Sequence, residues 1–559
     1  MNPPGAPASE PASSNLKARV QLPQSEKSNL QSATHEVADG IKPENEITGT
    51  KLLLVHSGLC LCTFLVGLDF NLIATAIPTI TSEFNSIGDV GWYGSAFYIA
   101  LCASQPLAGK AFTIFPQTLI YLLYVALFEL GSLVCALAPS SIALIVGRAI
   151  AGLGASGIFA GGLVILTTVI PLHKRAVWTG TMNSTFVIAS IVGPVLGGAL
   201  TQHASWRWCF YLNLPIGGFS ALVVLLFCRI KHTSSKPASL LTKLRKLDGV
   251  GFTLFAGAVA MLLLALQLGG PGSAFPWRSS QIIGLFIGSG LVFSLFVAWV
   301  LHLQDDALIP PRLFANRNVA LIFFSSLFSN GPFQTIIYWL PIWFQAVQSV
   351  SPTASGVHYL PTVISDVLTS VIGAGLAQQI GIWNPFLIFG EAMVCIGAGL
   401  LTTLHPSISS GHWIGYQIFG GIGYSLIINM AHLGTQASLP QDLVPIGATT
   451  LLFGISASCA VFLAVGQAVF QERLTRDLSQ VVSEKIVKDV IAVGATRVRD
   501  VVSAHDLPVV LNAYSKAVTQ VFYIPAAAPV LSFILVLGCT WIRIKKPDAK
   551  KVDDSKEEV

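Results

Sequence analysis

Long apolar runs alternate with short polar breaks along nearly the whole chain. About 20 apolar residues suffice for a helix to cross the hydrocarbon of a bilayer. Runs of this kind predict spans at 52–78, 92–109, 118–138, 142–168, 176–200, 210–229, 249–269, 281–302, 318–346, 355–378, 384–403, 412–434, 445–470 and 518–542, fourteen in all. The polar first fifty residues, rich in Ser, Pro, Glu and Lys, lack the apolar core of a cleavable signal peptide. They read as a disordered tail, which leaves the first span to direct insertion.

Basic residues orient the spans, because cytoplasmic loops collect Lys and Arg. With the amino terminus inside, the inner loops carry Lys110, Lys174, Arg175, Arg229, Lys231, Lys236, Lys243, Arg245, Lys246, Arg312 and Arg317, against Arg207 and Arg278 in the short outer loops. The basic tail "RIKKPDAKK" falls inside when the span count is even. Residues 471–517 lie outside yet hold seven Lys or Arg, and Leu474, Leu478, Val481, Val482 and Ile486 recur there at helical spacing. One or two amphipathic helices capping the outer face are predicted, as a solvated cap in preference to a partner-binding surface.

A repeat is visible between spans 4 and 12: "GRAIAGLG" from Gly147 resembles "GYQIFGGIG" from Gly415. This pairing fits two six-span halves separated by two extra spans, a common construction among secondary transporters. The implied divisions are a cytoplasmic tail (1–51), a first bundle (52–229), an inner loop with two extra spans (230–317), a second bundle with the outer loop (318–542) and a second cytoplasmic tail (543–559).

Composition agrees with a multi-pass membrane protein. Hydrophobic residues make up 53% and charged residues only 11%, where a soluble domain carries about 25% charged, and mean hydropathy is +0.69. The net charge of +5 is small, and no nucleic-acid surface is indicated. Nine cysteines sit mostly inside apolar runs without metal-ligand spacing, so they read as small hydrophobes. No phosphate-binding G-x-x-x-x-G-K-[ST] loop is present, which excludes direct nucleotide hydrolysis. Gly152, Gly154 and Gly157 form G-x-G-x-x-G inside an apolar span with no preceding strand, the wrong setting for a nucleotide.

Few ionisable residues lie at membrane depth: Asp69, Glu129, Arg148, Asp366 and Glu391. Charge there is costly, so each is a functional candidate. Glu129 and Arg148 stand ten and nine residues from the outer turn at Pro139, hence about 14 Å deep on neighbouring antiparallel helices. Asp69 reaches a similar level. A cluster of two carboxylates and one guanidinium follows, in which one carboxylate pairs with Arg148 and the other titrates. Either Glu129 and Arg148 take part in proton coupling or they only lock two helices together. Asp366 and Glu391 have no basic neighbour in sequence and either line an aqueous cavity or lie near a polar mouth.

The stretch "YWLPIWFQ" gathers Tyr338, Trp339, Trp343 and Gln345, while Gln105, Asn183 and Asn429 are mid-span amides. Together they suit a pocket for bulky apolar compounds needing a few hydrogen bonds. An aromatic belt at the outer surface would use the same residues. In "IVGPVLGGAL", Gly193 and Gly197 form G-x-x-x-G, which permits close helix approach, and Pro194 adds a bend.

The stretches "LDFNLIATAIPTI", "GRAIAGLGASGIFAGG", "GPVLGGAL", "WRWCFYLNLPIGG" and "YWLPIWFQAVQSVSPTASGVHYLP", in this order over about residues 50–545, resemble the major facilitator superfamily, specifically its fungal drug:proton antiporters with fourteen spans. The resemblance implies an all-α integral membrane protein. Two six-helix bundles would rock about a central cavity and export organic compounds in exchange for protons, without a cofactor. It implies proton-coupling roles for Asp69 and Arg148, with Glu129 fitting the "FELGS" form of fungal members. It also matches Gly180, Gly193, Pro194, Gly197 and Gly198 to the antiporter motif, on a span that lies where the two bundles meet. Gly109 and Lys110 match the inner gate loop, but Thr113 stands where the family has an acid, so that latch is either weaker or Lys110 finds another partner.

The expected function is export of a drug, toxin or secondary metabolite through the plasma membrane, with a vacuolar membrane open, by a chain acting alone on a small-molecule substrate. Uptake, for example of siderophores, is the alternative within transport. A nutrient sensor would need a larger cytoplasmic domain, and a membrane enzyme would need a catalytic cluster that is absent from the sequence.

Overall fold

Each of the fourteen apolar runs is helical over most of its length in the computed structural model, which describes residues 47–84, 90–230, 239–269, 275–350, 352–483, 486–487, 490, 502–503 and 505–543. The long helices are α1 (Gly49–Phe84), α2 (Val90–Ile114), α3 (Gln117–Ala136), α4 (Ser141–Val169), α5 (Leu172–His203), α6 (Asn213–Phe227), α7 (Gly249–Leu268), α8 (Ser280–Leu303), α9 (Arg317–Gln348), α10 (Pro352–Ile380), α11 (Asn384–Leu401), α12 (Ser410–Ser438), α13 (Val444–Ser479), α14 (Leu507–Val521) and α15 (Tyr523–Leu537). Among the described residues, eleven helices are long and apolar enough to cross a membrane by length and composition.

Local chemistry sets the ends. Ser140 and Ser279 accept a backbone N–H at the starts of α4 and α8, and Asn316 accepts two at the start of α9. Pro116 and Pro171 stand just before α3 and α5. The outer faces are apolar: Leu119, Leu123 and Leu130 of α3 are exposed, as are Ile283, Ile287 and Leu291 of α8, as expected where the solvent is lipid.

The pairing of helices repeats along the chain, with α1–α5 answering to α9–α13 and α6 to α15. In the first set α1 packs on α5 and α6, α3 on α4 and α6, and α2 on α4; in the second, α9 packs on α13 and α15, α11 on α12 and α15, and α10 on α12. The sets meet through α2 on α13 and α5 on α10, which is the same contact seen from each side. Helix α7 touches both α2 and α13, while α8 packs chiefly on α7, burying Ile282, Ser289 and Phe296 at seven-residue spacing.

Two expectations change. Helix α13 continues unbroken to Ser479, burying Leu474 and Leu478, so the first part of the expected outer cap extends a span. The last span is entered by α14, which buries Val510, Ala513, Tyr514, Ala517, Val518 and Val521 on one side against α9 and α13. Most of 484–501 lies outside the described residues.

Candidate functional site

Arg148 is fully buried on α4 and holds three elements together. Its Nη1 donates to Asp69 Oδ2 on α1 at 2.5 Å, its Nε donates to the Tyr93 carbonyl on α2 at 2.8 Å, and its guanidinium lies 4.5 Å from the centre of the Phe97 ring. The other Asp69 oxygen accepts from Asn213 Nδ2 on α6 at 3.2 Å, and Asn213 also donates to Ser132 Oγ on α3 at 3.0 Å. One acid and one base are thus neutralised in a setting without solvent, where an unpaired charge would cost several kcal/mol.

Glu129 does not join this pair. Both of its oxygens are buried without a hydrogen-bond partner, and they point at α6, where a Cβ on Gly217 would collide with the carboxylate. Gly217 lies one turn along α6 from Asn213, so Glu129 sits one turn from the Asp69 site. Helices α3 and α4 do pack closely, Gly131 against Ala151, but an interhelical lock between Glu129 and Arg148 is not formed. Counting residues gave the two side chains equal height; their direction around each helix axis, about 100° per residue, separates them.

Between the two sets of helices lies a cavity with about 1140 Å³ of empty space, part of it open to solvent. One wall is Phe70, Phe97 and Tyr98, with Phe159 and Phe186; the other is Phe333, Tyr359 and Tyr424 with Asp366. Phe70 meets Tyr98 edge-on at 4.5 Å between ring centres, and Phe333 stacks on Tyr424 at 4.2 Å. Gln105 lines the cavity and donates to Ser456 Oγ across it at 3.2 Å.

Most of the aromatic run lies elsewhere. Tyr338 is 52% exposed, Trp339 packs on Phe470, Trp343 donates to Ser515 Oγ of α14, and Gln345 donates to Ser355 Oγ across the α9–α10 turn. The cavity residues of α9 are Phe333, Gln334 and Ile337, one turn earlier. Glu391 is also away from the cavity. It is fully buried between α9, α11 and α15, accepting from Ser329 Oγ at 2.8 Å and Ser532 Oγ at 2.6 Å.

The seam between the sets is closed on the side of the α2–α3 and α4–α5 turns. Gly180 of α5 abuts Ser370 of α10, whose Oγ would stand 2.6 Å from a Cβ there. Asn183 donates to Asn429 Oδ1 at 3.1 Å, and Asn429 donates to Ser370 Oγ at 3.0 Å. Gly109 of α2 abuts Thr449 of α13, with no room for a Cβ. Gly193 faces α1 instead, where a Cβ on it would stand 2.6 Å from Asn71 Cβ, so its close approach lies within one set of helices and not at the seam. Gly197 is buried, Gly198 has no neighbour to a Cβ within 4 Å, and the side chain of Pro194 lies outside the described residues. Helix α5 runs through all four.

Lys110 finds a partner other than an acid of its own loop. It donates to the carbonyls of Asp306 and Ala307, the latter at 2.6 Å. The same strap is held by Asp248, a left-handed residue (φ 54°) whose carboxylate accepts from Gly251 N, Trp299 Nε1 and Leu308 N. Asp248 has no sequence signal beyond an acid before an apolar run. Asn213 had one, inside "WRWCFYLNLPIGG".

A helical bundle of this kind, with its repeated pairing and buried pair, has a counterpart in known sequences. Residues 59–465 match the Major Facilitator Superfamily. The chain belongs to that superfamily. It is therefore a transporter of the major facilitator fold and not an enzyme. It is 42% identical over 489 residues to efflux pump roqT of Penicillium rubens, covering 88% of this chain and 90% of that one. It is 41% identical over 544 residues to efflux pump mlcE of Penicillium citrinum, covering 95% and 98%. Among solved structures, the human organic anion transporter MFSD10 superposes with a TM-score of 0.59 at 14% identity, covering 88% of this chain and 100% of that one. The proton:xylose symporter XylE gives 0.55 at 13% identity, covering 87% and 95%. Both likenesses concern the fold.

Proposed function

We propose that this facilitator exports small amphipathic organic compounds in exchange for protons, with all fourteen helical runs crossing the membrane. The observation that carries the reading is the buried Asp69–Arg148 pair set beside an aromatic-walled cavity that is closed on its inner side. Asp69 exchanges its proton while Arg148 keeps the site from carrying a lone negative charge, and Glu129, one turn away without a partner, is the second carboxylate through which that proton passes. The halves α1–α6 and α9–α15 rock about the seam at Gly109 and Gly180, and the strap at Lys110 follows them. Relatives about 40% identical over nearly their full lengths are named efflux pumps, which supports export over uptake. No cofactor enters this scheme; the proton gradient is the driving force, the plasma membrane the site of action, and one chain the working unit.

The test is direction. Cells expressing the protein retain less of an amphipathic dye than control cells, and a protonophore removes the difference. Greater retention that depends on the same gradient overturns export.

A further inference from the structure

We propose that Gln105 reads a hydroxyl group of the substrate at the floor of the cavity, so that the pocket prefers neutral hydroxylated aromatic compounds to the same rings without a hydrogen-bond donor. This rests on the export reading and names a substrate class for it. The floor lies where helices pass from the cavity into the closed seam. On α2, Leu101 and Gln105 line the cavity, and Gly109, one turn further along, abuts Thr449 of α13. On α5, Phe186 lines it, and Asn183, three residues earlier, is bonded to Asn429 of α12.

The amide at this floor is half used. Its Nε2 donates to Ser456 Oγ of α13 at 3.2 Å, which holds the amide between the two sets of helices. Its Oε1 is buried without a partner, and the whole residue is 2% exposed. No other described residue of the cavity wall carries a buried side-chain nitrogen or oxygen left unpaired. Asn71, the nearest comparison, spends its Nδ2 on the Gly67 carbonyl at 2.7 Å and on Ser190 Oγ at 3.3 Å, and Ser190 donates to the Phe186 carbonyl at 3.2 Å. Buried polar atoms are almost always hydrogen-bonded, and an amide oxygen only accepts. What completes the floor is therefore a donor, and the ligand brings it.

The walls select the body that carries this donor. Phe70 and Tyr98 on one side, Phe333 and Tyr424 on the other, offer ring faces and edges to a flat aromatic compound. A phenolic hydroxyl lies in the plane of its ring and at the edge, so a ring held between these walls presents its hydrogen to the floor. Replacing that hydrogen by a methyl group keeps the apolar contacts and leaves Oε1 unpaired, which is how a buried acceptor discriminates between near-identical ligands. Gln105 is on α2 and its partner Ser456 on α13, so the hydroxyl is read at the junction of the two sets, apart from the Asp69–Arg148 pair.

The probes are 7-hydroxyflavone and its methyl ether, 7-methoxyflavone, titrated into the purified full-length protein at pH 6, where the hydroxyl keeps its proton. Wild type is expected to bind the hydroxyl compound about fivefold more tightly or better, the worth of one neutral hydrogen bond. Gln105→Met, similar in length and without the acceptor, is expected to bring the two affinities within about twofold by weakening the hydroxyl compound alone; its retained binding of the methyl ether shows that it is folded. Equal affinities in wild type mean that water satisfies Oε1, and they overturn the proposal. A preference that survives in Gln105→Met, equal loss of both probes, or binding of neither by wild type overturns it as well. Reconstituted vesicles with an imposed pH gradient separate the two readings. Gln105-dependent preference without uphill movement of either flavone leaves the site standing and removes the export mechanism, whereas uphill movement of both without preference does the reverse.

Discussion

Arg148 and Asp69 are 79 positions apart in sequence and form a 2.5 Å ion pair with both side chains essentially inaccessible. Each also has a polar partner on a further helix, Tyr93 on α2 and Asn213 on α6. The pair therefore joins α1, α2, α4 and α6 at one level.

Asp69→Asn keeps the shape and the hydrogen bond to Arg148 but cannot exchange a proton. Uphill export driven by a pH gradient should fall at least a hundredfold per folded molecule, beyond any loss of folded protein from leaving Arg148 without its counter-charge, while downhill equilibration of the same dye per folded molecule stays near wild type. Vesicle transport measured with and without the gradient checks this, and normal uphill export removes Asp69 from the mechanism.

Gly217 leaves the space that the Glu129 carboxylate occupies. Gly217→Val should displace Glu129 and cost about 1–3 kcal/mol of stability by overpacking, read as a lower unfolding temperature. Glu129→Gln should leave folded protein at wild-type levels, because no ion pair is broken, and should lower gradient-driven export. Loss of the Gln variant from the membrane would point to a structural role instead.

At the inner seam, Gly109 leaves no room for a Cβ beside Thr449. Gly109→Ala should reduce export at least tenfold in a folded protein, and Thr449→Ala in the same chain should restore part of it. A double-mutant cycle showing independent effects contradicts closure through this contact.

Asp248 satisfies three N–H donors from α7, α8 and the 307–308 strap. Asp248→Ala orphans all three and should destabilise the protein by about 2–4 kcal/mol, since buried unsatisfied donors cost about 1–3 kcal/mol each and some regain water. Thermal unfolding of the variant in detergent is the measurement.

At the outer end of α1, Glu83 accepts from Trp206 Nε1 at 2.6 Å and from Arg207 Nη1 at 2.8 Å. These bonds hold its carboxyl below the ordinary carboxylate range. The stability they add is present above the unfolded-state value and is lost as pH falls through the lower folded-state value. The site is well exposed, so the contribution is under about 1 kcal/mol after solvent screening. Wild type and Glu83→Gln should differ in unfolding temperature at pH 6 and converge in acid; a difference that persists in acid excludes this cause.

The segments that become helices were legible in the chain because burial in lipid demands long unbroken apolar runs, and each of the fourteen runs is helical over most of its length. The rarity of charge at that depth singled out Asp69 and Arg148, which the structure pairs. Height along a helix can be counted from a turn, and Glu129 was accordingly set level with Arg148. Partnership depends on rotation about the helix axis and on which helices meet, and both arise from contacts between distant segments. Tertiary structure therefore decided that Arg148 turns to Asp69, that Glu129 faces Gly217, and that Asp366 enters the cavity while Glu391 does not. It also set the aromatic wall at Phe333 rather than at Trp339 and Trp343. Hydropathy is a property of the chain, whereas the direction of a side chain is a property of its neighbours.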